Sequence, residues 1–157
     1  MKLIYICLVI FFFSCAKKQA QNSIDIDLLK EVAILPDENF YPKGDSIFSK
    51  FLSQGKKITP QLIERITDTI NSNYIYADVV NYKVGDIAII LLQNNYSYNE
   101  FPLKKMMLKN FYPDDNIDDY QYTVLYDKIL FNNTTSVNFS NRIKLKNIIK
   151  RWFENKK

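Results

Sequence analysis

Val84-Gly85-Asp86-Ile87-Ala88-Ile89-Ile90-Leu91-Leu92 is the stretch on which the fold turns. From Ile87 onward every position is apolar, and a helix apolar all round is one that is buried. Ile89 and Ile90 are β-branched and the run is short, so a buried strand is the competing assignment. Helix is favoured because the periodicity on either side is helical and no partner strands are evident. Gly85-Asp86 then opens the helix, with the Asp accepting backbone N–H groups at its start.

Upstream, Ser23 is placed to cap a helix over 24–35 that carries Leu28, Leu29 and Val32 on one side. Asp45 is a second N-cap, followed by Ile47, Phe48, Phe51 and Leu52 at helical spacing and by Gly55 as the closing residue. Thr59-Pro60 combines an N-cap with a proline at the first helical position. Leu62, Ile63, Ile66 and Ile70 make its stripe, and Asn71-Ser72-Asn73 ends it. Residues 74–83, with Tyr74, Tyr76 and the run Val79-Val80-Asn81-Tyr82, fit either a short strand or an irregular aromatic connection.

Downstream, Pro102 opens a helix to about residue 109, and 113–119 is an acidic loop. Tyr122, Leu125, Tyr126, Ile129 and Leu130 recur at helical spacing; 132–138 has loop composition. Ser140 is the expected cap of a last helix striped by Leu145, Ile148, Ile149, Trp152 and Phe153. The expectation is an all-α fold: one domain of six or seven short helices packed on a buried central helix near residues 86–94. The Val-Gly-Asp-apolar-Ala run at 84–88 and the Asn141-Arg142…Trp152 helix together resemble uncharacterised small helical bacterial proteins. That resemblance implies the helical fold and no activity.

The first fifteen residues, Met-Lys-Leu-Ile-Tyr-Ile-Cys-Leu-Val-Ile-Phe-Phe-Phe-Ser-Cys, set an address. Lys2 precedes an apolar run over 3–13, shorter than the ~20 residues a spanning helix needs and of signal-peptide length. Phe12-Phe13-Ser14-Cys15 resembles the lipobox of bacterial lipoproteins, with Phe12 in the place where Leu is more usual. The resemblance implies cleavage between Ser14 and Cys15, a diacylglycerol thioether on Cys15, and acylation of the new amino terminus. The expected layout is a cleaved signal peptide at 1–14, a lipid-anchored tether at 15–22 and the helical domain at 23–157. At ~5–6 Å × √n the tether reaches only about 15 Å, which keeps the domain near the lipid surface. Ala16 is not the Asp that retains lipoproteins in the inner membrane of related systems. The implied location is the outer membrane, facing the periplasm.

Composition removes whole classes of chemistry. The chain has no His and two Cys, Cys7 within the signal and Cys15 under the lipid. The domain itself therefore has no thiol nucleophile, no disulfide and no imidazole base or ligand. The three Gly leave phosphate-cradling loops unsupported. No cofactor is expected. The formal charge falls from +4 to +3 with Lys2 removed, and nucleic acid is not an expected partner outside the cytoplasm.

Charge is unevenly placed. Asp114, Asp115, Asp118, Asp119 and Asp127 crowd 110–127 without a basic residue, whereas 142–157 holds Arg142, Lys144, Lys146, Lys150, Arg151, Lys156 and Lys157 against Glu154. Asp114, Asn116 and Asp118 match the first ligand positions of a calcium loop, but Asp119 and Leu125 stand where that loop needs Gly and Glu. They remain weak metal candidates within what reads as a solvated acidic loop. Ser53-Gln54-Gly55-Lys56 copies a Ser-x-x-Lys pattern, with a helix-ending glycine between the two reactive residues and neither companion element present.

No catalytic residues are assigned. The expected function is a non-enzymatic, lipid-anchored module that binds a protein of the cell envelope, of the kind that includes immunity proteins and accessory subunits. Asp114, Asp115, Asp118, Asp119, Lys150 and Arg151 are the candidate contact residues. A carboxylate-dependent envelope hydrolase, or a small-ligand or calcium binder, is the alternative.

Overall fold

A computed structural model of the protein describes residues 24–37, 40–77, 80–115 and 121–156. The expected cleavage and lipidation residues Ser14 and Cys15, the tether, and Asn116, Asp118 and Asp119 lie outside the described residues.

The all-α expectation is corrected. Among the described residues, six α-helices accompany two short 3-10 turns and a two-stranded antiparallel sheet, so the fold is mixed and mostly helical. Strands β1 (Asn71–Tyr76) and β2 (Val80–Lys83) occupy the ambiguous aromatic stretch, and β1 takes in the Asn-Ser-Asn expected to end a helix. The alternation of Tyr74, Tyr76, Val80 and Tyr82 explains the outcome, because aromatic and β-branched side chains pair across strands. Tyr74 and Tyr82 meet edge to face at 5.1 Å, and the Ser72 hydroxyl donates to the Tyr82 carbonyl at 2.9 Å.

Helix α1 (Ser46–Gln54) starts at Asp45. Asp45 Oδ1 accepts from Ile47 and Phe48 N–H at 2.9 and 2.8 Å, and Oδ2 accepts from Ala33 and Ile34 N–H at 2.7 and 2.9 Å. That second pair draws the preceding chain into an extended course. In place of the helix expected over 24–35 there is a 3-10 turn, Ile26–Glu31, capped by Asp25. Burial works to raise the Asp45 pKa, but the four N–H groups outweigh it and hold the carboxyl below its ordinary value.

A 3-10 turn, Gly55–Ile58, leads into α2 (Thr59–Arg65). Gly55 takes φ +56°, which suits a residue without Cβ. Thr59 is not the cap; its backbone is already helical, and its buried hydroxyl pairs with the Tyr96 hydroxyl at 2.9 Å. The helix also ends earlier than its stripe suggests. Leu62, Ile63 and Ile66 are buried while Ile70 is 60% exposed, because the chain leaves the helix beside the start of the next one. There the Val84 and Gly85 N–H groups donate to Ile70 and Asp68 carbonyls at 2.8 and 3.0 Å.

The decisive stretch forms helix α3 (Val84–Asn95), in which Val84 to Ile89, Leu91 and Leu92 are buried. Each large apolar side chain there contributes about 1.5–3 kcal/mol on leaving water. Its neighbours include α1, α2, the first 3-10 turn and both strands, so it is not the centre of an all-helical bundle. Helices α4 (Leu103–Phe111) and α5 (Tyr122–Leu130) follow. Helix α6 (Thr135–Glu154) closes the chain against α2 and α5. It begins before Ser140: Thr134 Oγ1 accepts from Val137 N–H at 3.4 Å. Val137 and Phe139 are each 44% exposed, so the first turns carry no buried stripe that sequence periodicity could reveal.

Candidate functional site

Asp86, the one carboxylate inside the apolar run, is fully buried, and Arg142 of α6 is 2% exposed. Asp86 Oδ1 accepts from Arg142 Nη2 at 2.6 Å and from the Tyr126 hydroxyl at 2.8 Å, while Oδ2 accepts the Lys83 N–H at 2.7 Å. The carboxylate thus starts α3 and ties it to α5 and α6. Arg142 is the partner that sequence reasoning missed. It stands three residues before Leu145 on the same helical face, so extending that stripe back one turn would have pointed to it. Burial and the adjacent carboxylate push the Tyr126 hydroxyl well above its usual pKa. A charge held this way is structural: breaking such a pair costs about 3–5 kcal/mol. Gly85 permits the close approach. A Cβ there would lie 2.3 Å from the Ile66 carbonyl oxygen and 3.0 Å from Arg142 Nη1.

Two concavities flank this anchor. The first is an open groove of about 560 Å³ between the hairpin and the start of α6. Thr69, Asn71, Val80, Asn81 and Lys83 form one wall; Leu130, Phe131, Asn133, Thr135, Asn138 and Phe139 form the other, with Arg142 between. Among the described residues strand β2 pairs only with β1, which leaves its second edge without a strand there.

The second concavity, about 110 Å³, is lined by Tyr76, Tyr82, Ile90, Tyr122, Thr123, Tyr126 and Asp127. Tyr76 and Tyr82 lie 6.0 Å apart at 32°, and Tyr122 and Tyr126 lie 5.7 Å apart at 44°. The Tyr122 hydroxyl donates to Gln93 Oε1 at 3.1 Å. Burial pushes the Tyr82 pKa up to about 12 and raises that of Tyr122 beyond it, so both rings stay neutral at physiological pH.

The residues expected to make contacts fall elsewhere. Asp114 and Asp115 are exposed just after α4, and Lys150 and Arg151 are exposed on the outer face of α6 beside Ile143, Lys144, Asn147 and Glu154. Further back along the basic segment, Arg142 is paired with Asp86, and Lys146 bonds Glu64 at 2.5 Å. Among the described residues no group of three metal-ligating side chains occurs, and no helix is long and apolar enough to cross a membrane. Ser53 donates to the Lys50 carbonyl at 2.6 Å and Lys56 pairs with Glu100 at 2.5 Å, so each is engaged apart from the other.

Compared with protein-family models, curated proteins and solved structures, the chain matches none.

Proposed function

We propose that this protein is a lipid-anchored, non-enzymatic module that captures an envelope protein in the groove between β2 and α6. The groove is the observation that carries the binding role. It joins an unpaired strand edge to exposed Val80, Val137 and Phe139, and an extended segment of a partner can add to such an edge while seating side chains on the apolar residues beside it. The structural use of Asp86 also supports a binder over a carboxylate hydrolase, since that carboxylate is closed off from water. The anchor rests on the lipobox residues 12–15. An immunity protein or an accessory subunit of an envelope machine fits this description, and a toxin gene beside this one would favour immunity.

A photo-crosslinking amino acid placed at Phe139 in the native host tests the groove. It is expected to give one discrete protein adduct that the same label at Tyr98, 67% exposed on another part of the surface, does not give. Equal labelling from both positions, or none from Phe139, contradicts the proposal. Cys15→Ala is expected to move the protein from the membrane to the soluble envelope fraction; retention on membranes contradicts the anchor.

A further inference from the structure

The tyrosine-lined cavity has the features of a cation site. Two rings from the hairpin, Tyr76 and Tyr82, and two from α5, Tyr122 and Tyr126, enclose about 110 Å³ over Ile90, with Asp127 at the rim. Ring faces attract a cation within about 6 Å through their quadrupole. Elsewhere the chain places its own lysines on its rings: Lys56 and Lys156 on Tyr96, Lys156 on Trp152, Lys144 on Phe111 and Lys128 on Tyr112. Among the described residues none of these contacts falls on the four cavity tyrosines, and Asp127 makes no ion pair. Asp86 lies behind Tyr126, neutralised by Arg142, so the free charge facing the cavity is that of Asp127.

We propose that this cavity binds an organic ammonium group on a short aliphatic stem, held among the rings of Tyr76, Tyr82, Tyr122 and Tyr126 and by the carboxylate of Asp127. Size selects the class. Pockets for drug-sized ligands run to about 300–1,000 Å³, so this cavity suits a single ammonium head. The hydroxyls of Tyr122 and Tyr126 donate to Gln93 and Asp86, which fixes those rings before any ligand arrives. The same chemistry is found on a free quaternary ammonium compound and on a lysine side chain. This site is separate from the groove proposed above, and its titration can succeed or fail whatever the crosslinking at Phe139 shows.

The test is a titration of the full-length protein in nonionic detergent with choline chloride, with Nα-acetyl-lysine amide, and with 3,3-dimethylbutan-1-ol, the neutral isostere of choline. Tyrosine ring resonances report binding. At least one of the two cations is expected to shift the cavity tyrosines to saturation, while the alcohol does not. The tighter cation identifies the source, choline for a free compound and the lysine derivative for a partner's side chain. Tyr76→Ala and Asp127→Asn, both at exposed positions, are each expected to weaken binding about fivefold, the second more at low salt than at high. The proposal is overturned if the alcohol saturates the same resonances as tightly as the cations. It is equally overturned if neither cation saturates them, or if both variants bind unchanged.

Discussion

The two ends of helix α3 use similar ingredients to opposite effect. At its C-terminal end, Tyr96, Phe101 and Trp152 pack with ring centroids 4.6–6.1 Å apart. Two lysines, Lys56 and Lys156, lie over these rings. Glu100 completes the cluster: its side chain accepts from Lys56 and Ser97, and its carbonyl accepts from Trp152 Nε1 at 3.1 Å and from Lys156 at 2.6 Å. At the N-terminal end the cation is Arg142, turned inward onto Asp86, and the rings beyond it run along α3 as far as Ile90 and Gln93: Tyr126, Tyr122, Tyr82 and Tyr76, with Phe131 packed on Tyr82 and Tyr126. One end satisfies its aromatic faces with the chain's own cations. The other uses its cation to lock three helices together and leaves four rings around a cavity. A residue set alone does not distinguish these cases; what each cation touches does.

That contrast can be broken most severely at Asp86–Arg142. Arg142→Met leaves a buried carboxylate without its cation and is expected to cost about 3–5 kcal/mol in urea unfolding. Adding Asp86→Leu removes the stranded charge, and the double variant is expected to be more stable than Arg142→Met alone. If the double variant is the weaker of the two, the pair is not what holds this end.

Gly85→Ala comes next. It forces a methyl against the Ile66 carbonyl and the guanidinium, with an expected loss of about 1–3 kcal/mol. An unchanged urea midpoint would show that α2 and α3 are not so closely apposed.

Asp45→Ala is expected to cost about 0.5–2 kcal/mol through the lost cap. Here pH supplies the sharper reading. The folded-state pKa of Asp45 is lowered from 3.8, so its contribution is complete above the unfolded value and is lost as pH falls through the folded one. Asp45→Asn should therefore lower stability most at neutral pH and converge on the parent as pH falls below about 4, which flattens the acid limb.

Glu100→Gln is expected to have the smallest effect. Lys56 and Ser97 hold the Glu100 pKa down to about 2, with the same sign of dependence: stability present above the unfolded value fades as pH falls towards 2. Its side chain is 43% exposed, so salt should erase most of the difference between variant and parent. A large, salt-insensitive loss would show that this end is locked as tightly as the other.

The helices whose apolar residues face one way were legible from sequence, as in α1 with Asp45 before it and in the later turns of α6. The hairpin was not, because Tyr74, Tyr76, Val80 and Tyr82 alternate over too few residues, and nothing local says that 71–73 pairs with the strand after it. The early turns of α6 escaped for the opposite reason: Val137 and Phe139 remain at the surface, so no buried stripe marks them. Asp86 stood out as a carboxylate in an apolar helix, and its backbone bond at the helix start was foreseeable from Gly85-Asp86. Its pairing with Arg142 joins residues 56 positions apart, and the tyrosine cavity is likewise assembled from β1, β2, α3 and α5. Such sites exist only once tertiary packing has placed the rings.

A single titration reads both ends of α3 together. Trp152 is the only tryptophan, so its indole N–H resonance reports the self-satisfied cluster while the ring signals of Tyr76 and Tyr82 report the open one. On addition of the cation that binds more tightly of the two, the tyrosine signals are expected to move to saturation with the indole signal unmoved. Equal movement at both ends, or movement of the indole alone, would contradict the distinction between them.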